Sequence, residues 1–187
     1  MFDQNQSNPF MGGQTRADAP QMANPFAGVP SADVYGGGTY LNEGAYVVEL
    51  GELVSRMSDN GKGQLFIINC TVQEAHGEGA TPEGSKGSQV IAFRHQSAEG
   101  NCKQFFLAAF KALAEKQGRD PEAVTDAAMK ANPQQFAAAM GAAIGPDQPC
   151  AGLTLGLQVT QVPTRSGGVF SKHVWAYLPG RGQAAPF

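Results

Sequence analysis

The chain has 187 residues, 42% of them hydrophobic and only 16% charged, with 24 glycines and a formal net charge of −3. That length and apolar fraction suffice for one domain with a buried core plus extensions. The mild acidity excludes a globally basic nucleic-acid binder but not a local basic groove, and no run approaches the ~18 consecutive apolar residues of a membrane span. Residues 1–10 carry neither the basic start nor the apolar run of a secretory signal. Cys70, Cys102 and Cys150 are too widely spaced for a C-x-x-C metal clip and too few for a disulfide framework. A reducing, cytoplasmic compartment is therefore expected.

Residues 1–44 hold seven glycines, four prolines and five charged side chains, without hydrophobic periodicity. Such a stretch cannot offset its ordering entropy by burial, so a disordered arm is expected. Two Asn-Pro-Phe triplets, Asn8-Pro9-Phe10 and Asn24-Pro25-Phe26, punctuate it; each is either loop punctuation with an incidental aromatic or a small docking anchor. In residues 45–50, Tyr46, Val48 and Leu50 alternate with Val47 and Glu49, and Gly51 interrupts before Leu53 and Val54. This suits a bent, bulged first strand. Ser58-Asp59-Asn60-Gly61-Lys62-Gly63 predicts a turn, residues 64–72 a second strand rich in β-branched and aromatic residues, 74–88 a polar loop and 89–95 a short third strand.

Residues 103–116 then place Phe106, Ala109, Phe110 and Leu113 on one helical face. Asp120-Pro121-Glu122 opens another helix with an N-cap and a first-turn proline. Asn132-Pro133-Gln134-Gln135 repeats the device ahead of Phe136, Met140 and Ile144, until Gly145-Pro146. Leu153, Leu155, Leu157 and Val159 alternate with polar or small residues, Pro163 to Gly168 turns, and residues 169–178 form the fifth strand. The expected architecture is mainly β with a helical insert (α+β). A five-stranded barrel of the oligonucleotide/oligosaccharide-binding (OB) type spans 45–178, with its helices (101–145) between strands three and four, and 179–187 is a flexible tail. An ordinary α+β domain is the alternative.

The last hairpin, residues 159–175, runs Val-Thr-Gln-Val-Pro-Thr-Arg-Ser-Gly-Gly-Val-Phe-Ser-Lys-His-Val-Trp. It resembles the terminal hairpin of OB-fold single-stranded DNA-binding proteins of bacteriophages and bacteria: a strand, a Thr-basic-Ser-Gly turn, then an aromatic-polar-basic strand ending on an apolar-Trp pair. Residues 46–72 resemble that family's first hairpin more loosely. The resemblance implies a cofactor-free, non-catalytic, phage-encoded protein that binds single-stranded DNA during replication in the host cell cytoplasm, with little sequence preference. Family members commonly end in an acidic tail that recruits partners; here Gly180-Arg181-Gly182-Gln183-Ala184-Ala185-Pro186-Phe187 keeps Pro-Phe but no acid.

Single-strand binding needs cations for phosphates and flat aromatic faces for bases. The last carboxylate is Asp147, so Arg165, Lys172 and Arg181 follow in an acid-free segment. On strand five, His173, Trp175 and Tyr177 share one face, and Phe170, Lys172, Val174 and Ala176 the other. Either the first trio is a stacking platform, or Trp175 points into the core. Arg56 and Lys62 flank the first hairpin turn, Arg165 and Lys172 the second, and Arg94 with His95 closes strand three. The candidate nucleic-acid-binding set is thus Arg56, Lys62, Arg94, Arg165, Lys172, His173, Trp175 and Tyr177, with solvated turn cations as the plainer account of the basic members. Lys103, Lys111 and Lys116 fit a solvent-facing helix side.

An enzyme is not expected. His76, His95 and His173 are isolated, no phosphate-binding Gly-x-x-x-x-Gly-Lys loop or Gly-x-Ser-x-Gly elbow occurs, and Cys70 and Cys102 sit in apolar contexts as inert thiols. Neither metal nor cofactor is called for. The competing expectation is a virion structural or decoration protein whose arm orders on assembly. Partners of the arm or of the C-terminal Pro-Phe would then be virion proteins rather than replication proteins. Membrane contact is not expected, and homo-oligomerisation is left open.

Overall fold

The computed structural model describes residues 40–59, 61, 63–93, 97–163 and 167–181, without the Met129 side chain. In chain order these form β1 (Gly44–Met57), β2 (Gln64–His76), β3 (Lys86–Ala92), α1 (Ala98–Lys116), α2 (Pro121–Lys130), α3 (Pro133–Ile144), β4 (Thr154–Pro163) and β5 (Val169–Tyr177). The strands make one five-stranded antiparallel sheet in the order β3-β2-β1-β4-β5. None of the helices is long and apolar enough to cross a membrane among the described residues.

β1 is the central strand. It pairs with β2 over its length, from Ala45↔His76 to Met57↔Gln64, and with β4 only from Gly44↔Val159 to Glu49↔Thr154. Its register on β2 shifts between Val47 and Val48 and again between Leu50 and Leu53. The second shift contains Gly51, where the sequence predicts a bend. The Asn69 amide donates to the Glu52 carbonyl at 2.9 Å across that irregularity. Such bulges bend a strand and increase its twist. The sheet curls enough that its two edge strands meet through side chains: Trp175 Nε1 on β5 donates to Gln89 Oε1 on β3 at 2.6 Å. No backbone ladder joins β3 to β5 among the described residues, so the sheet is open.

The concave face closes on α1. Phe105 and Phe106 are fully buried there; Phe106 stacks on Phe66 of β2 at 5.2 Å, and Phe105 meets Trp175 edge-on at 5.2 Å. The apolar stripe of α1 runs through Cys102, Phe105, Phe106, Ala109 and Ala112, while Phe110 and Leu113 are half-buried at its margin. The expected stripe is thus rotated, because Phe105 takes the central position that the sequence pattern assigns to Phe110. Leu153, Leu155, Leu157 and Val159 all point inward as their alternation predicts.

Both expected proline-opened helices form. The Asp120 carboxylate accepts from the Glu122 amide at 2.9 Å, and Asn132 and Gln135 make a reciprocal capping box with distances of 2.9 and 3.0 Å. Other boundaries move. β2 continues to His76 and β3 starts at Lys86, so polar residues expected in a loop pair as strand. β3 ends at Ala92, which leaves Arg94 and His95 outside the described residues. α1 begins at Ala98 rather than Lys103. Residues 40–43, grouped with the arm by composition, belong to the domain. Leu41 is 2% exposed and packs against Gly87, where an added Cβ would lie 2.6 Å from its Cδ2. Asn42 donates its amide to Thr81 Oγ1 at 2.9 Å and accepts from the Tyr46 hydroxyl at 2.8 Å. One buried leucine outweighs the glycine-rich sequence before it.

Candidate functional site

β5 can present either of its faces to the core, and packing against α1 decides between them. Trp175 is 4% exposed, its ring against Phe105 and its only polar atom satisfied by Gln89. It is a core residue and offers no face for a base to stack on. His173 is buried beside it on the same face, opposite Val159. Its Nδ1 lies 3.1 Å from the Ser171 carbonyl, an acceptor, so Nδ1 carries the proton and Nε2 is left as a hydrogen-bond acceptor. Burial pushes the His173 pKa below its usual 6.5, partly countered by that carbonyl, which keeps the ring neutral at pH 7.

Tyr177 completes the expected platform only in sequence. Its hydroxyl bonds the Glu115 carboxylate, and burial, Glu115 and Glu122 together push its pKa up. Glu115 also accepts from the Gly180 amide at 2.8 Å, and Arg181 pairs with Glu74, whose pKa that guanidinium lowers. This end of β5 is tied down by carboxylates and is a poor place for phosphate. Arg56 is engaged with Asp59 at 2.7 Å inside its own turn. Lys172 is exposed on the outward face of β5. Lys62, Arg94 and Arg165 lie outside the described residues.

The outward face and the free edges hold what the trio was expected to supply. A groove of about 580 Å³ opens between β3, the first residues of β5 and the first turn of α1. Its apolar walls are Tyr40, Val90, Val169 and Phe170. These are four of the six large hydrophobic side chains exposed among the described residues, and a fifth, Phe93, directly follows Ala92 on the β3 wall. Gln89, Ser97, Asn101, Ser171 and His173 add polar groups, and among the described residues no charged side chain lines it. Exposed apolar side chains scattered singly mean little, but a cluster of them around one hollow marks a binding surface.

α1 begins at the groove without a side-chain cap: the Ser97 hydroxyl makes no capping hydrogen bond to the first turn, and its carbonyl accepts from the Asn101 amide at 3.0 Å. The thiols do not take part. Burial pushes Cys70 and Cys150 up to about 11 and Cys102 to about 12, so at neutral pH all three are protonated and unreactive. Among the described residues, no group of three histidines, cysteines or carboxylates is placed to hold a metal ion.

Of the groove residues, the sequence pattern points to Phe170 as a member of the face opposite Trp175. Tyr40 is hidden in the arm's composition, and Val90, Val169 and Asn101 carry no local signal, since only the curl of the sheet brings them together. No protein-family model matches the chain, and no curated protein matches it.

Proposed function

We propose that the protein binds single-stranded DNA, without catalysis, along the groove between the β3 and β5 edges. The observation that carries this is the gathering of exposed aromatic and apolar side chains around one hollow that no carboxylate lines among the described residues. The rings of Tyr40 and Phe170 supply faces on which unpaired bases stack whatever their identity, and the exposed Phe93 follows the β3 wall in sequence. Asn101 and the acceptor Nε2 of His173 offer hydrogen bonds to base edges. Lys172 supplies one cation on the adjoining face, and in sequence Arg94 follows Phe93 while Arg165 precedes Val169 by four residues.

The fold agrees with this use. The strand order β3-β2-β1-β4-β5 becomes that of an OB barrel if β3 and β5 are taken as neighbours, and the groove shares β3 and the start of β5 with the strand 2–3 face and strand 4–5 loop on which OB proteins bind single strands. We read the domain as a partly open barrel of that type, with the Trp175–Gln89 hydrogen bond at its seam. The resemblance of residues 159–175 to phage-type single-stranded DNA-binding proteins supports the same assignment. The virion alternative rests on the arm, which lies outside the described residues.

Titration of a labelled dT oligomer, followed by fluorescence anisotropy, tests the proposal. Binding should weaken with rising salt, and Phe170→Ala and Tyr40→Ala should each cost about 1–3 kcal/mol, the usual worth of one stacked base. Absence of binding at low salt, or affinity unchanged in both variants, would sink it.

A further inference from the structure

We propose that the groove has an occupant within the chain itself: Val34 and Tyr35, which seat there when no nucleic acid is bound and compete with it. The first described residue, Tyr40, is 59% exposed and forms one wall of the groove. Immediately after it the chain is pinned, with Leu41 packed under β3 at Gly87 and Asn42 bonded to Thr81. Residues upstream of Tyr40 are therefore tethered to the domain at one wall of the hollow.

The sequence just before that point suits a return into it. Gly36, Gly37 and Gly38 form an unbroken glycine run, the residue type that reverses direction at least steric cost. Ahead of them stand Val34 and Tyr35, a β-branched and an aromatic side chain. Five residue steps separate Tyr35 from Tyr40 and reach at most about 17 Å, more than the roughly 10 Å breadth of a compact hollow of 580 Å³. The walls Tyr40, Val90, Val169 and Phe170 are apolar and the described lining carries no charge, which suits a valine-tyrosine pair. β3 and β5 are the two edges of the sheet and offer unpaired backbone groups to an extended segment. The tether keeps the segment at a high effective concentration, so a weak contact suffices.

The docking stands independently of what else the groove binds; only the competition rests on the single-stranded DNA assignment. Two measurements on the full chain separate them. In the first, Asp33→Cys is combined with Ser97→Cys at the groove, with Val34 and Tyr35 kept or, as a control on the same tether, both changed to Ser, and both proteins are oxidised at low concentration. The native thiols are buried with raised pKa values and stay silent. The 33–97 disulfide should form within one chain at least about threefold faster with Val34 and Tyr35 in place than with Ser at both, as the raised effective concentration of a seated segment requires. Equal rates, or disulfides mainly between chains, would overturn docking in cis; the latter would assign the groove to the arm of a second copy.

In the second measurement, Val34→Ser/Tyr35→Ser is titrated with the dT oligomer. It should bind about threefold more tightly than the parent, as expected if the free groove is occupied two-thirds of the time. A 33–97 disulfide that is fast only with Val34 and Tyr35 in place, with unchanged DNA affinity, would overturn the competition and keep the docking. A fast disulfide with no DNA binding in either protein would overturn the DNA assignment and leave the seated segment standing.

Discussion

At the scale of single residues, the most exacting contact is the one across the seam. Trp175 and Gln89 bury an indole N–H and an amide oxygen against each other at 2.6 Å. A buried donor that loses its acceptor costs about 1–3 kcal/mol. Gln89→Leu is therefore expected to destabilise the protein by that amount in urea denaturation, and Trp175→Phe/Gln89→Leu to recover part of the loss by removing both polar partners. His173 supplies a pH dependence. Its folded-state pKa lies below the unfolded value of 6.5, so the unfolded chain takes up the proton first. Its contribution to stability is complete above pH 6.5 and is lost as pH falls through the folded pKa. Melting temperatures measured between pH 7.5 and 5 should fall for the parent and fall less for His173→Gln. Period-two alternation separates the two faces of β5, but both carry aromatics, Phe170 on one and Trp175 on the other. Which face is inside is settled by Phe105 of α1, more than 60 residues away in sequence, and no local pattern encodes that.

At the scale of elements, the parts that local chemistry specifies are the parts legible beforehand. Asp120 and Asn132 cap α2 and α3 as their sequences announce, and the Gly51 bend lies inside a register shift of β1. The ends of β2 and β3 were not legible, because residues 73–76 and 86–88 are polar and become strand only by pairing with neighbours already in place. Gln148 is a further case. It has φ of 42°, in the left-handed region, and its amide satisfies both backbone groups of Leu53: Oε1 accepts from the Leu53 N–H at 2.8 Å and Nε2 donates to its carbonyl at 3.1 Å. The same Nε2 reaches the Ile144 carbonyl at the end of α3 at 3.1 Å. Gln148 thus serves β1 as a substitute strand partner beyond the point where β4 pairing stops at Glu49. Gln148→Ala should cost about 1–3 kcal/mol through the exposed or orphaned groups at Leu53. Hydrogen exchange should show the Leu53 amide losing protection before those of Val48 and Leu50.

At the scale of the whole molecule, the sheet is held at its middle and free at its margins. β1 carries two neighbours, bulges twice and curls the sheet around α1. The edges β3 and β5 are then left facing each other across one side-chain hydrogen bond and a groove. The five strands and the position of the helices between β3 and β4 are readable from alternation and capping. The groove is not, because its walls come from segments that only the curl brings together. The carboxylate-bound end of β5, with Tyr177 on Glu115 and Arg181 on Glu74, likewise depends on contacts spanning more than 60 residues. The seam has an optical consequence as well. Trp175 is the chain's single tryptophan, so the intrinsic emission of the protein comes from the junction of β3 and β5. Its spectrum should lie at short wavelength and resist quenching by iodide. A ligand that rests over the groove should leave the colour of that emission unchanged, whereas one that parts the two edges should shift it to the red.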